Sequence, residues 1–317
     1  MVTHAPLRVV FFGTPEFAVP ALRALIESRH LVVGLVSQPD RPRGRGRKLG
    51  PGPTKIVATE HNIPVLQPER MRDEGFLAEL RQLDADLGVV AAYGRILTDA
   101  ILTVPRLGMI NVHASLLPRW RGAAPVHRAV LAGDVETGVT IMRVVRELDA
   151  GPMVAVGRRP ISPDETSAEI EQVLATMGAA LAIEVVEQLS QGPVHDEPQP
   201  DAGVTYAERV TKADSPIFWW RSAHEVHNQV RGLQPWPLAS TTIGGHRLLL
   251  VRTTIADNPA PATALPGTVL EASGERLVVA AGHGTVRILE LRPEGRRTMT
   301  ARDFLAGHPV AVGARME

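Results

Sequence analysis

Arg8 to Ile26, RVVFFGTPEFAVPALRALI, decides the fold class. Its first five residues, Arg8 to Phe12, are dominated by valine and phenylalanine and read as a buried strand. Gly13 and Thr14 interrupt the run, and Pro15 stands where a proline suits the first turn of a helix. Phe17, Ala21, Leu22, Leu25 and Ile26 then recur at helical spacing. The unit is strand, tight turn, helix. The same reading predicts strands at Leu31 to Ser37, Asp86 to Ala92, Met109 to Val112 and Val139 to Val145, with amphipathic helical stretches between them. A long helix over Ser167 to Leu189, with Thr166 or Ser167 and nearby acids as its capping signal, closes the set. Strands alternating with helices predict an α/β domain, Rossmann-like, on a parallel sheet.

From Gln191 to Asp201 the composition shifts to glycine, proline and charge, QGPVHDEPQPD, which reads as an extended linker. The expected division is a first domain over 1–190, a linker over 191–207 and a second domain over 208–317. Beyond the linker come one helix near Ser222 to Gly232 and β-rich runs at Ala239 to Ile243, His246 to Thr254, Gly267 to Glu271, Arg276 to Ala280 and Thr285 to Leu291. A small β-barrel, OB-like, is the expectation for this part.

Two domains also suit the length of 317 residues, and 44% apolar with 21% charged residues is ordinary for a globular protein. The longest apolar runs are strand-length and no apolar segment follows a basic start, so membrane insertion and secretion are not expected. A cytoplasmic monomer is. The absence of cysteine excludes disulfides, thiolate zinc sites and a cysteine nucleophile. Net charge is zero, so a nucleic-acid contact requires local patches. Residues 1–207 carry net −3 and residues 208–317 net +3.

Asn111 and His113 flank Val112 at the end of a predicted strand, and two-residue alternation puts both on one face. An amide can hold a developing oxyanion while an imidazole exchanges a proton near neutral pH, a pair suited to acyl transfer. A turn-forming asparagine and a histidine bonded to backbone is the other reading. The next segment, Ser115-Leu116-Leu117-Pro118 followed by Arg119-Trp120-Arg121-Gly122-Ala123-Ala124-Pro125, is too irregular for a core element and reads as a loop lining a pocket at the strand ends. Asp149, in LDAGPM after the Val139 to Val145 run, is expected at the same edge of a parallel sheet as His113, where a carboxylate could orient the ring. A turn aspartate bonding its own backbone is the alternative.

HASLLPRWRGAAP, preceded by GMIN and followed by ETGVTIM and LDAGPM, closely resembles the folate-dependent formyltransferase family. The resemblance implies Asn111, His113 and Asp149 as the catalytic triad and Ser115, Leu116, Leu117 and Pro118 as the folate-binding stretch. It also implies 10-formyltetrahydrofolate as formyl donor. VVFFGTPEFAVPALRAL, SQPDRPRGRGRKLGPGPTK, AAYGRIL and QPWPLAS look like the branch that formylates the methionyl initiator tRNA for translation initiation. With them the resemblance covers nearly the whole chain. The same chemistry on a sugar nucleotide or glycinamide ribonucleotide is the nearest rival, and an RNA-binding module on an inactive domain a more distant one.

Between Gln38 and Lys55, six cations (Arg41, Arg43, Arg45, Arg47, Lys48 and Lys55) face one acid, Asp40, with Gly and Pro between them. By charge alone this is either a phosphate-binding loop or a solvated one. By resemblance it wedges into the acceptor arm of the tRNA, with Arg45 at its tip. Two other patterns carry no site. Gly13 to Phe17 lacks GxGxxG spacing, and His224 and His227, three apart, read as structural on an exposed helical face, so no metal is expected.

Overall fold

The computed structural model describes residues 5–43, 48–256, 261 and 263–317, with backbone alone at 42–43 and 48–49. They divide into two compact units. The first holds the chain up to Ala123 with Thr137–Arg159 and Glu171–Ala207, and the second holds Ala124–Glu136, Pro160–Ile170 and Glu208–Glu317.

In the first part of the chain the elements run β1 (Arg8–Gly13), α1 (Val19–Glu27), β2 (Leu31–Val36), β3 (Arg41–Arg43), β4 (Lys48–Gly50), α2 (Pro53–Glu60), β5 (Val65–Leu66), α3 (Glu74–Gln82) and β6 (Leu87–Ala91). They continue with α4 (Asp99–Leu102), β7 (Met109–His113), β8 (Arg121–Gly122), α5 (Pro125–Ala132), β9 (Glu136–Arg143), β10 (Met153–Pro160), α6 (Ser167–Gln191) and β11 (Tyr206–Ala207). Among the described residues, seven strands form one sheet in the order β10-β9-β7-β6-β1-β2-β5. The pairs β1–β2, β1–β6, β6–β7 and β2–β5 are parallel. The apolar strands are buried on both faces, as a parallel sheet covered by helices requires. Phe76, Leu77 and Leu80 of α3 pack with Val10, Phe12, Val90 and Met109. Against the opposite face, α6 comes so close that a Cβ on Gly178 would stand 2.6 Å from Val112 Cγ1 and 3.3 Å from Val139 Cγ1.

One expectation fails. β9 runs antiparallel to β7, pairing His113 with Thr140 and Ile110 with Arg143. The end of β9 therefore lies beside the start of β7, not beside His113. Several further elements were not anticipated. β10 has a half-exposed pattern with polar Arg158 and Arg159, which carries little apolar signal. β3 and β4 form an antiparallel hairpin inside the basic loop, with Arg43 opposite Lys48. A short terminal helix follows the last strand.

The second unit contains α5 and, later in the chain, α7 (Ala223–Gly232), β12 (Ala239–Ile243), β13 (His246–Ile255), β14 (Val269–Ser273), β15 (Arg276–Ala280), β16 (Thr285–Pro293), β17 (Met299–Thr300) and α8 (Ala301–Gly307). α5 belongs here because it packs on α7, where Gly232 lets Leu131 approach. Strands β12-β13-β16-β15-β14 form an antiparallel sheet, with β17 on β16. The last residues close it. Ile243 bridges to Met316 and Thr268 to Arg315, while Thr242 N–H donates to Glu317 O at 2.8 Å and Val269 N–H to Ala314 O at 2.8 Å. The final stretch thus spans the gap between β12 and β14, giving a small barrel around Trp219, Val226, Val230, Leu250, Leu277 and Ile288. α7 starts with a capping box, Ser222 and Glu225 bonding each other's backbone N–H.

Thr166 and Glu169 form the same device at the start of α6. Bonds from Thr166 N–H and hydroxyl, then from Arg252, hold the Glu169 carboxyl down at about 2. Because its folded value is depressed, this stabilisation is present above the ordinary carboxylate range and is lost as pH falls toward about 2. Glu169→Gln keeps a capping amide but should flatten that part of the stability-versus-pH curve in urea unfolding, and an unchanged curve would show that the pair contributes nothing. Gly178→Val should destabilise the fold by about 1–3 kcal/mol through overpacking, read from urea unfolding, and reduce activity, since Val112 lies between Asn111 and His113. Gly192→Ala, where a Cβ meets nothing within 4 Å, is the control and should be near neutral.

Candidate active site

β7 delivers Met109, Asn111 and His113 to one face and Val112 to the other, so the two polar side chains lie where the strand leaves the core. His113 is 5% exposed. Its Nε2 lies 2.9 Å from the carbonyl oxygen of Trp120, which can only accept, so Nε2 carries a proton. Its Nδ1 faces Asp149 Oδ2 at 3.6 Å. The same Oδ2 accepts the backbone N–H of Gly122 at 2.8 Å.

Asp149 reaches this position by a route other than the expected strand end. β9 leaves the sheet at the far end of β7, and the loop after Arg143 returns to the site. Asp149 itself has φ 46°, the left-handed region, which costs a non-glycine residue about 1 kcal/mol. Gly151 makes the loop's close approach possible, since a Cβ there would lie 1.9 Å from the Arg143 carbonyl oxygen.

The Ser115–Pro118 stretch is fastened to β9. Thr140 Oγ1 donates to the Ser115 carbonyl at 2.7 Å and accepts Leu117 N–H at 3.2 Å, and Ser115 Oγ donates to the Arg119 carbonyl at 2.7 Å. Leu117 is buried with Met142 and Met153, and Leu116 packs beside Gly138. Ser115 and Leu117 are therefore buried in the fold, while Leu116 and Pro118 are half-buried.

The basic loop is a hairpin stem whose tip, with Arg45 and Arg47, lies outside the described residues, as do the side chains of Arg43 and Lys48. Arg41 is exposed and donates to Gln38 Oε1 at 3.1 Å. Lys55 behaves differently from its neighbours in sequence: it sits on α2 and donates to Asp40 at 2.7 Å and Gln67 at 2.7 Å. That ion pair neutralises the one acid of the loop and anchors its base.

His227 corrects the expectation of an exposed helical face. It is 4% exposed, bonded to Thr253 at 3.0 Å and to the Pro163 carbonyl at 3.0 Å, and burial pushes its pKa down. It is a core histidine.

Sequence reasoning missed the groups that hold the pair in place. The Trp120 carbonyl and the Gly122 N–H are backbone atoms, which residue types do not announce. Gln199 was passed over as linker, yet its amide donates to the carbonyls of Asp149 and Gly151, both at 2.8 Å, and accepts from Arg121 at 2.7 Å.

Comparison with known proteins places the whole chain in one family. Residues 7–186 match the model of the formyl transferase family and residues 209–309 that of the formyl transferase C-terminal domain. A methionyl-tRNA formyltransferase of Symbiobacterium thermophilum is 48% identical over 98% of this chain and 95% of its own. One of Methylococcus capsulatus is 48% identical over 96% and 98%. Among solved structures, HypX from Aquifex aeolicus in complex with tetrahydrofolic acid shares the fold at TM-score 0.66 and 18% identity, covering 98% of this chain, which spans about half of that protein (48%). WlaRD, a sugar 3N-formyl transferase, has TM-score 0.66 and 16% identity, over 93% of this chain and all of its own. The chain belongs to the formyl transferase family, alongside curated members named methionyl-tRNA formyltransferase.

Proposed function

We propose that the chain moves the formyl group of 10-formyltetrahydrofolate onto the amino group of methionine carried by initiator tRNA. The observation that carries this reading is the His113–Asp149–Gly122 arrangement at the end of β7, in a chain whose relatives of that name match along nearly its full length. The amine nitrogen attacks the formyl carbon and gives a tetrahedral intermediate, which collapses by expelling the folate nitrogen. The amine loses one proton and the departing nitrogen gains one. Asn111 and doubly protonated His113 stabilise the oxyanion, and His113 passes the proton. Asp149, facing Nδ1 at 3.6 Å, holds the plane of the ring.

The 1–190 region is assigned to this chemistry, with Ser115 to Pro118 beside folate. The 208–317 region is assigned to tRNA together with the arginines at 41, 43, 45 and 47 and Lys48. A further feature supports an RNA contact there. Phe218 (46% exposed) and Trp220 (68% exposed) stand out from a turn, with the Arg221 guanidinium 5.5 Å from each ring centre. Exposed rings beside a guanidinium suit unpaired bases. The protein acts as a monomer in the cytoplasm, where charged tRNA is found.

Incubating charged initiator tRNA with formyltetrahydrofolate and the protein should yield formylmethionine, and formylation of an amino sugar nucleotide in its place would overturn the acceptor. His113→Ala or Asn111→Ala should each lower kcat about 10²–10³-fold in folded protein, and Asp149→Asn should lower kcat as well. Near-normal turnover by all three would remove the triad.

Binding of tRNA should fall steeply with salt while folate binding barely responds. Arg41→Ala should reduce the salt slope by about one. Trp220→Ala should weaken binding about tenfold through lost stacking and leave the slope unchanged. Wild-type affinity in Trp220→Ala would exclude the aromatic pair from recognition.

A further inference from the structure

The linker between the two matched family regions contacts the backbone groups that fix His113 and Asp149. We infer that the segment Glu197 to Ala207 is a positioning strap for the catalytic pair, acting through two side chains, Gln199 and Thr205. The inference rests on the proposed roles of His113 and Asp149.

Gln199 reaches Asp149 from behind. Its Nε2 donates to the Asp149 carbonyl and the Gly151 carbonyl, both at 2.8 Å, so both amide protons are used on the loop that carries the carboxylate. Its Oε1 accepts from Arg121 Nε at 3.1 Å and Nη2 at 2.7 Å. One amide thereby ties the 149–151 loop to Arg121, whose chain neighbour Gly122 donates its N–H to the Asp149 carboxylate. The tie matters because Asp149 sits at φ 46°, a conformation that persists only where the surroundings impose it.

Thr205 acts on the other ring nitrogen of His113. Its Oγ1 accepts the Trp120 N–H at 2.9 Å and its carbonyl accepts the Arg121 N–H at 2.9 Å. Trp120, at φ 65°, is a second non-glycine residue in the left-handed region, and its carbonyl is the Nε2 partner. β11 continues the tie by pairing with β8, Tyr206 opposite Arg121 and Ala207 opposite Gly122. At the other end of the strap, Glu197 and Met153 exchange backbone hydrogen bonds of 2.7 and 2.8 Å. A passive spacer needs none of these bonds. The strap therefore determines where the carboxylate and the carbonyl stand relative to the imidazole, without itself reaching the reacting atoms.

The test is a pair of cycles on the full chain. Gln199→Ala should lower kcat at least about tenfold, the scale expected from a small misplacement of a catalytic group, with KM for tRNA and folate within about twofold. In an Asp149→Asn background the same change should cost little more, because both act on one group. Thr205→Val, nearly isosteric, should lower kcat in the wild type and have little further effect when His113 is Ala. Normal kcat in both variants, losses that multiply fully with Asp149→Asn and His113→Ala, or effects confined to KM would each overturn the strap. Failure of the underlying reading looks different: Asp149→Asn and His113→Ala would themselves turn over normally.

Discussion

One carboxylate oxygen organises the end of β7. Asp149 Oδ2 accepts the Gly122 N–H at 2.8 Å and faces His113 Nδ1 at 3.6 Å, so a single atom couples the loop after β7 to the loop after β9 through the imidazole. The first contact is fixed backbone geometry. The second strengthens when the ring takes up a second proton, which is the state in which it can carry charge in the reaction. The carboxylate is 15% exposed and the imidazole 6%, so their attraction is screened less than a surface pair would be.

That coupling constrains the backbone around it. Asp149 and Trp120 both adopt left-handed φ values that a free chain avoids, and each presents a group to a different nitrogen of His113. A site assembled from two such residues needs external support, and it comes from neighbours fixed elsewhere: Thr140 beneath the Ser115–Pro118 turn, Gly151 against Arg143, and Gln199 and Thr205 behind both loops. Rigid strands place the imidazole, and hydrogen-bonded loops place what surrounds it.

Much of this was legible in the sequence because it depends on residue type and spacing. The run from Arg8 to Phe12 and the helical recurrence from Phe17 to Ile26 became β1 and α1, and the asparagine–histidine alternation became one face of β7. The barrel followed from short β-rich runs, and its helix from Ser222. What was not legible depends on direction and on backbone atoms. An apolar run such as Val139 to Val145 says strand but carries no sign for parallel or antiparallel, so the route that brings Asp149 beside His113 cannot be read from it. The Trp120 carbonyl and the Gly122 N–H have no side-chain signature. Gln199 lay in a proline-rich stretch whose composition says only that it is extended.

The same limit explains why composition assigned the linker no role. Gly, Pro and charge remove helix and sheet as sources of backbone pairing, but an extended chain still exposes one donor and one acceptor per residue, and these must be satisfied somewhere. Between Glu197 and Ala207 several are satisfied on Met153, Arg121 and Ala123. An extended segment with nothing to pair with stays a spacer. One laid beside two strained loops becomes part of their support, because each bond it makes removes an alternative conformation from them. The low local propensity of residues 191–201 is therefore compatible with a precise position, and that precision comes from the loops around His113 and Asp149.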